Sequence, residues 1–555
     1  MRFETLASDV YVASLKPFFQ RSPHRLLRLA YVATAGFFLW ICAQFYIPGK
    51  GFTYLVTFGT KVSERYIPPL RDGTINHYEQ EDSYGYDAQY YAQIAMRPWL
   101  SNPALNRAVD SLPYRARRIL FAWTAYGLAL GDPARALHIY AVQNIVCWFA
   151  LALLLLRWFP PVNWGNFARW FGVLFSFGLC FSVRGSLVDG PSLLLIAVGV
   201  ALAETGWLWS SALLLGVAGL GKETNILAAT TLPLPTRAGG FRAWVLFVAR
   251  GLIVLIPLAL WLECLWFWLA SSGDAGARNF ARPLFGYMAK WAETLAQLRT
   301  EGIGSVAQWS VLMLVAITAQ ALFFALRPRW RDPWWRLGAA YTVLMLVLGD
   351  AVWEGYPGAA SRVLLPMTLA FNILVPRGRA WWLLLVLGNL TVVYTSDTLK
   401  PPGRESYHLH GPRELIMIEK TGQTLEAVFS DQEWYLPERS RFDYWRWSRG
   451  SAHITLRNPL PFAVVADIGF DLKSNDERLV TVSAGEQVLW SGGTLRTLRG
   501  VKLHGVRLDP GDTVWNFETN LPAEFPVNGD PRSLAFSLRN LTINVAARAT
   551  PPPVK

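Results

Sequence analysis

From residue 29 to residue 396 the chain is a succession of apolar runs broken by short basic connectors. An apolar run of about 20 residues crosses a bilayer core as a helix, with its backbone polar groups satisfied internally. Runs fall at 29–47, 136–157, 168–184, 187–204, 207–221, 225–236, 242–270, 303–326, 334–350, 359–376 and 380–396. They predict a polytopic α-helical membrane domain of about eleven spans. The first run lacks a small-residue cleavage site after it and is read as a span, not a signal peptide. Composition agrees: 52% of residues are hydrophobic and only 16% charged, against roughly 25% charged in soluble domains. This excludes disordered, collagen-like and coiled-coil chains. The four cysteines lie in apolar stretches and indicate no disulfide framework.

The net charge of +13 invites a nucleic-acid reading, but its distribution argues otherwise. Residues 397–555 carry 19 basic and 19 acidic residues, so the excess belongs to 1–396. There it concentrates at connectors. Lys16, Arg21, Arg25 and Arg28 precede the first run, and Arg157/Arg169, Arg237/Arg242, Arg327/Arg329/Arg331/Arg336 and Arg377/Arg379 separate later ones. The positive-inside bias then makes 1–28 a cytoplasmic tail and 29–396 the membrane domain. The loop 48–135 and the segment 271–302 fall outside, as do residues 397–555. The apolar helix 117–130 lies against the membrane or re-enters it. An inner-membrane protein with a periplasmic C-terminal domain is expected, and no nucleic-acid partner.

Residues 397–555 read differently. Alternating segments HITLRNP, AVVADIGFDLK, RLVTVSAGEQVLW, VKLHGVRLD, DTVWNFETN and SLAFSLRNLTINV are separated by turn formers. Among these are Ser474-Asn475-Asp476, Ser491-Gly492-Gly493 and Asp509-Pro510-Gly511-Asp512. Short strands with regular turn signals predict an all-β sandwich.

Charged residues in a membrane domain are expensive and mark function or pairing. Asp87 opens a helix-like, aromatic segment. It either caps that helix or acts as a general base towards an acceptor hydroxyl, with Tyr86, Tyr90 and Tyr91 as walls. Arg115, Arg117 and Arg118 sit on the face where the bias disfavours cations; they anchor by snorkelling or grip a lipid phosphate. Asp189 and the Lys222-Glu223 pair stand at outer helix ends, either neutralising each other or serving a site. Arg362 begins another apolar helix on the same face. Acids and bases from four distant segments thus converge at one membrane surface. Glu81 and Asp82, with Asp87, can hold a divalent cation through oxygen ligands or simply be solvated. No other cofactor is indicated. HExxH, CxxC and GxSxG patterns are absent, and GKET at 221–224 lacks the P-loop context.

Gly85-Tyr86-Asp87-Ala88-Gln89-Tyr90-Tyr91 resembles the GYD[GA]Q[FY]Y loop of bacterial membrane proteins related to the GT-C glycosyltransferases. Tyr114-Arg115-Ala116-Arg117-Arg118-Ile119-Leu120, Lys222-Glu223-Thr224 and Ala360-Ser361-Arg362-Val363-Leu364-Leu365-Pro366 follow in the order those proteins show, over about residues 30–376. The resemblance implies a polyprenyl-phosphate sugar donor used at the periplasmic face, with a glycan, lipid or protein acceptor. It implies Asp87 as catalytic base and basic residues at the donor phosphate: Lys222 and Arg362, with Arg115 or Arg118 as alternates. Gln89, Asp189 and Glu223 would support them. Ala88 replaces the usual Gly, Lys222 the usual Arg, and Ser192 stands where a second acid is common. Trp434 and the run Phe442–Ser448 resemble the entry of β-sandwich modules on such transferases; they are core aromatics or sugar-stacking surfaces. The competing readings are a non-catalytic envelope scaffold and a transporter, the latter predicting inverted repeats that the sequence lacks.

Overall fold

The computed structural model describes residues 25–47, 49–80, 83–235, 240–269, 276–302, 307–355, 357–401, 406–409, 424–439, 444–494, 497–526 and 530–549. Lys16, Arg21, Glu81, Asp82, Arg237, Phe442 and Asp443 lie outside the described residues. The chain divides into two compact units. One comprises Met1–Phe45, Leu55–Ile75 and Tyr84–Lys400; the other comprises Tyr46–Tyr54, Asn76–Ser83 and Pro401–Lys555.

The first unit is helical. Arg25–Ala43, Pro133–Arg157, Gly240–Leu269 and Ala307–Leu326 are long and apolar enough to cross a membrane. Trp164–Leu174 and Phe177–Arg184, bent by 46°, form a fifth crossing if counted as one broken span. The other apolar runs fold as shorter helices, so the expected count near eleven is not matched by long helices among the described residues. Region 207–236 shows why. Leu208–Gly219 has 12 residues, about 18 Å at 1.5 Å per residue, and Gly219-Leu220-Gly221 breaks it before a 3-10 segment, Glu223–Thr231. Pro257 lies within Gly240–Leu269. Lacking an N–H, it leaves the Ile253 carbonyl without its helical partner. Gly216 packs against that carbonyl, with room for no side chain: a Cβ there would lie 2.7 Å from it.

Two further segments bear on the site. The apolar stretch expected at 117–130 forms a nine-residue helix, Leu120–Leu128, about 14 Å long and too short for a core of about 30 Å. The stretch 271–302, expected as a loop, contains the 17-residue helix Phe285–Glu301. That helix buries Lys290, whose Nζ donates to the Gly355 carbonyl at 3.0 Å and to Glu293 at 3.1 Å. Its polar sequence hid it from a hydropathy reading.

Among the described residues, eleven strands build the two large sheets of the second unit. They are β1 (Ser406–Leu409), β2 (Glu426–Phe429), β3 (Glu438–Arg439), β4 (Tyr444–Trp447), β5 (Ala452–Asn458) and β6 (Val464–Ser474), followed by β7 (Arg478–Ala484), β8 (Gln487–Thr494), β9 (Arg499–Leu508), β10 (Gly511–Thr519) and β11 (Phe536–Arg548). One sheet has the order β8-β7-β10-β5-β2, the other β9-β6-β11-β4-β3 with β1 beside β11. Alternate residues point inward: Ile454 and Leu456 from β5, Val480 and Val482 from β7, Ile468 and Phe470 from β6, Phe536 and Leu538 from β11. Both sheets feed one core, as in a sandwich. One expected turn is corrected. Ser491-Gly492-Gly493 lies within β8, and the chain reverses at Gly485, φ +58°. Gly492 packs beneath the Trp490 ring, where a Cβ would approach to 2.6 Å. Trp434 is 1% exposed and packs against Phe429, Phe517 and Phe536. It is a core aromatic, closed to sugar stacking.

Candidate functional site

A cavity of about 690 Å3 opens in the helical unit. Tyr86, Asp87, Tyr91, Arg117, Arg118, Asp189, Lys222, Glu223 and Arg362 line it, with Phe177, Phe181, Leu344 and Val363 among its apolar walls. Four acids and four bases line it, because Glu354 joins Asp87, Asp189 and Glu223. The structure therefore brings together Asp87, Asp189, Lys222 and Arg362, which lie as much as 275 residues apart in sequence.

Asp87 precedes the helix Ala88–Met96, yet its side chain makes no capping hydrogen bond. The capping role is thereby set aside. Its Oδ1 instead accepts from Arg115 at 3.0 Å, and its side chain remains 37% exposed. Gly85 sets up this placement. It has φ +74°, a left-handed conformation that suits glycine, and a Cβ there would lie 2.3 Å from Gln89 Oε1. Gln89 is not a cavity residue. Buried, it accepts from Tyr66 Oη at 2.9 Å and donates to the Tyr84 carbonyl at 2.7 Å, pinning the loop. Tyr90 also stays off the lining; the Arg115 guanidinium lies over its ring at 5.0 Å.

Arg115 differs from the expectation of a phosphate ligand. It is buried, absent from the cavity lining, and bound by Asp110 through two hydrogen bonds of 2.9 and 2.7 Å besides the one to Asp87. Burial disfavours its charge, but Asp110 and Asp87 outweigh that and raise its pKa. Asp110 gave no sequence signal beyond its nearness to Arg115. Arg118 donates to Glu223 Oε2 at 2.9 Å, to Tyr114 Oη at 3.1 Å and to Tyr91 Oη at 3.3 Å, and it lines the cavity. Burial raises the Tyr91 pKa, with Arg118 opposing, so the phenol that accepts from Arg118 is neutral at neutral pH. Tyr114 also accepts from Asn279 at 3.1 Å. The sequence marks the segment holding Asn279 only as an external loop.

Asp189 lies at the first turn of Asp189–Glu204, where a helix dipole favours an anion. Its Oδ1 lies 2.5 Å from Lys222 Nζ and its Oδ2 3.2 Å from an Arg362 guanidinium nitrogen. Arg362 also donates to Tyr86 Oη at 3.0 Å. The short helix Ala360–Val363 reaches this position by close approach to Phe177–Arg184. A Cβ on Gly178 would lie 2.3 Å from the Ser361 carbonyl. Among the described residues no group of three or more His, Cys, Asp or Glu is arranged to hold a metal ion.

No protein-family model matches the chain, and no curated protein matches it. Among solved structures, the cryo-EM structure of arabinosyltransferase EmbB from Mycobacterium smegmatis is similar over 97% of this chain and 67% of that one, with a TM-score of 0.33 and 9% identity. A likeness of that size assigns neither fold nor activity to this chain.

Proposed function

We propose that the protein is a GT-C-type glycosyltransferase of the bacterial inner membrane. It moves a sugar from a polyprenyl-phosphate donor to an envelope acceptor at the periplasmic face, with its N-terminus cytoplasmic. The observation that carries this reading is Asp87. It is a carboxylate free of capping duty, half-exposed in a cavity also lined by Lys222, Arg118 and Arg362. In the proposed step Asp87 takes the acceptor hydroxyl proton as that oxygen attacks the anomeric carbon. The bond from that carbon to the phosphate oxygen breaks, and the phosphate leaves with the electron pair. Lys222 and Arg362 stabilise the departing charge. Pairing with Asp189 leaves them donors to spare, since an ammonium has three N–H groups and a guanidinium five. A single displacement inverts the anomeric centre. Arg115, held by Asp110, positions Asp87.

The balance of four acids and four bases around the cavity favours one competing reading, a non-catalytic envelope scaffold in which the charges lock helices together. Envelope glycans and lipids compared with and without the gene separate the two. Loss of one sugar from one glycan or lipid supports the transferase. Unchanged glycans with a lost protein partner support the scaffold.

A further inference from the structure

Arg362 lies near the start of the segment formed by Ala360–Val363 and Leu365–Leu374, and Pro376 follows its end. Fourteen helical residues would span about 21 Å, so this far end is remote from the cavity. A second pocket, of about 90 Å3, opens there, roughly the liquid volume of three waters and enough for a phosphate group. Arg169 lines it while being only 3% exposed. It donates to the Asn372 carbonyl at 2.8 Å and to the Pro376 carbonyl at 3.0 Å, and its Nε has no partner. Capping those helix-end carbonyls accounts for one cation.

It does not account for a second. Arg377 lines the same pocket, and its hydrogen bond to the Trp158 carbonyl is a long 3.5 Å. Among the described residues no carboxylate lies within 4.0 Å of either guanidinium. Asn163 and Gly165, at the N-terminus of the helix Trp164–Leu174, also line the pocket and bring the positive end of its dipole. Two cations and a helix N-terminus without an acid form an anion site. Trp381, Trp382 and Leu385 complete the wall, and tryptophans concentrate where head groups meet acyl chains. Basic pockets between membrane helices take anionic lipid head groups.

We propose that this pocket binds the phosphate of an anionic membrane lipid between Arg169 and Arg377. The site stands apart from the transferase cavity and holds or fails independently of it. The test is thermal unfolding of the full-length protein in neutral detergent. Added phosphatidylglycerol is compared with phosphatidylcholine and with inorganic phosphate. Arg169→Gln removes a helix cap and can fail to fold, so the informative variant is Arg377→Gln, with Arg379→Gln as a matched charge loss outside the pocket. Phosphatidylglycerol is expected to raise the wild-type midpoint by about 3 °C or more. The shift should fall below half in Arg377→Gln and persist in Arg379→Gln. Three results overturn the proposal: an equal shift with phosphatidylcholine, an equal shift in Arg377→Gln, or an Arg377-dependent shift produced by inorganic phosphate alone.

Discussion

Lys222 Nζ lies 2.5 Å from Asp189 Oδ1, and neither side chain is more than 8% exposed. Arg362 occupies the other carboxylate oxygen. Removing the acid from such a buried cluster strands two cations, and breaking a buried pair costs about 3–5 kcal/mol. Asp189→Asn should lower the unfolding midpoint of the purified protein sharply. Lys222→Met added to Asp189→Asn should cost less than the two losses summed. Strict additivity in that double-mutant cycle would show that the pair does not couple.

Gly85→Ala introduces a Cβ 2.3 Å from Gln89 Oε1 in a left-handed backbone. A non-glycine residue in that region costs about 1–3 kcal/mol. The displaced Gln89 would also release Tyr66 and Tyr84. Limited proteolysis should cut the segment around residue 85 faster than in the wild type, while Gly73→Ala, with open space around it, should leave this segment's cleavage unchanged.

Some of the fold is plain in the amino-acid sequence and some is not, for physical reasons. Strands such as Val464–Ser474 were legible because one face is buried and the alternation is direct, whereas Glu426–Phe429, with only Phe429 buried, gave no such pattern. Asp189, Lys222 and Arg362 stand out in the sequence as polar interruptions in apolar runs, and the fold gathers them at one cavity. Helix lengths were not legible, because hydropathy does not see the bend between Leu174 and Phe177 inside the run 168–184. Nor were partners of partners. Asp110 and Asn279 lie in polar stretches where one more polar residue carries no signal. Arg115, an alternate phosphate ligand on the sequence, is held instead by Asp110 and Asp87, a pairing that spacing along the chain does not display.

Trp434 tests the second unit. Its ring lies in the core, and its Nε1 donates to the His453 carbonyl at 2.9 Å. Trp434→Ala should cost about 3–5 kcal/mol, seen as a lower denaturant midpoint for the β-sheet signal of the full chain. Soluble oligosaccharides should not protect Trp434 from oxidation by N-bromosuccinimide beyond a buffer control. Oligosaccharide protection would return it to a binding surface.

Arg118 is held by Glu223, Tyr114 and Tyr91 through three different nitrogens. Lysine has one nitrogen and cannot reproduce that fork. If Arg118 shapes the donor end of the cavity, Arg118→Lys should raise KM for the lipid donor about tenfold or more, since a lost charged hydrogen bond is worth about 1.5–3 kcal/mol. An unchanged KM would confine Arg118 to packing.

The most direct measurement is transfer of labelled sugar from a polyprenyl-phosphate donor by purified Asp87→Asn protein. Arg115 keeps both hydrogen bonds to Asp110 in that variant, so the fold should persist, with a thermal midpoint close to wild type. Loss of a general base lowers turnover by about 100- to 10,000-fold. That loss, in a protein that still unfolds like the wild type, is the predicted result. Transfer at the wild-type rate by the folded variant would contradict Asp87 as the base.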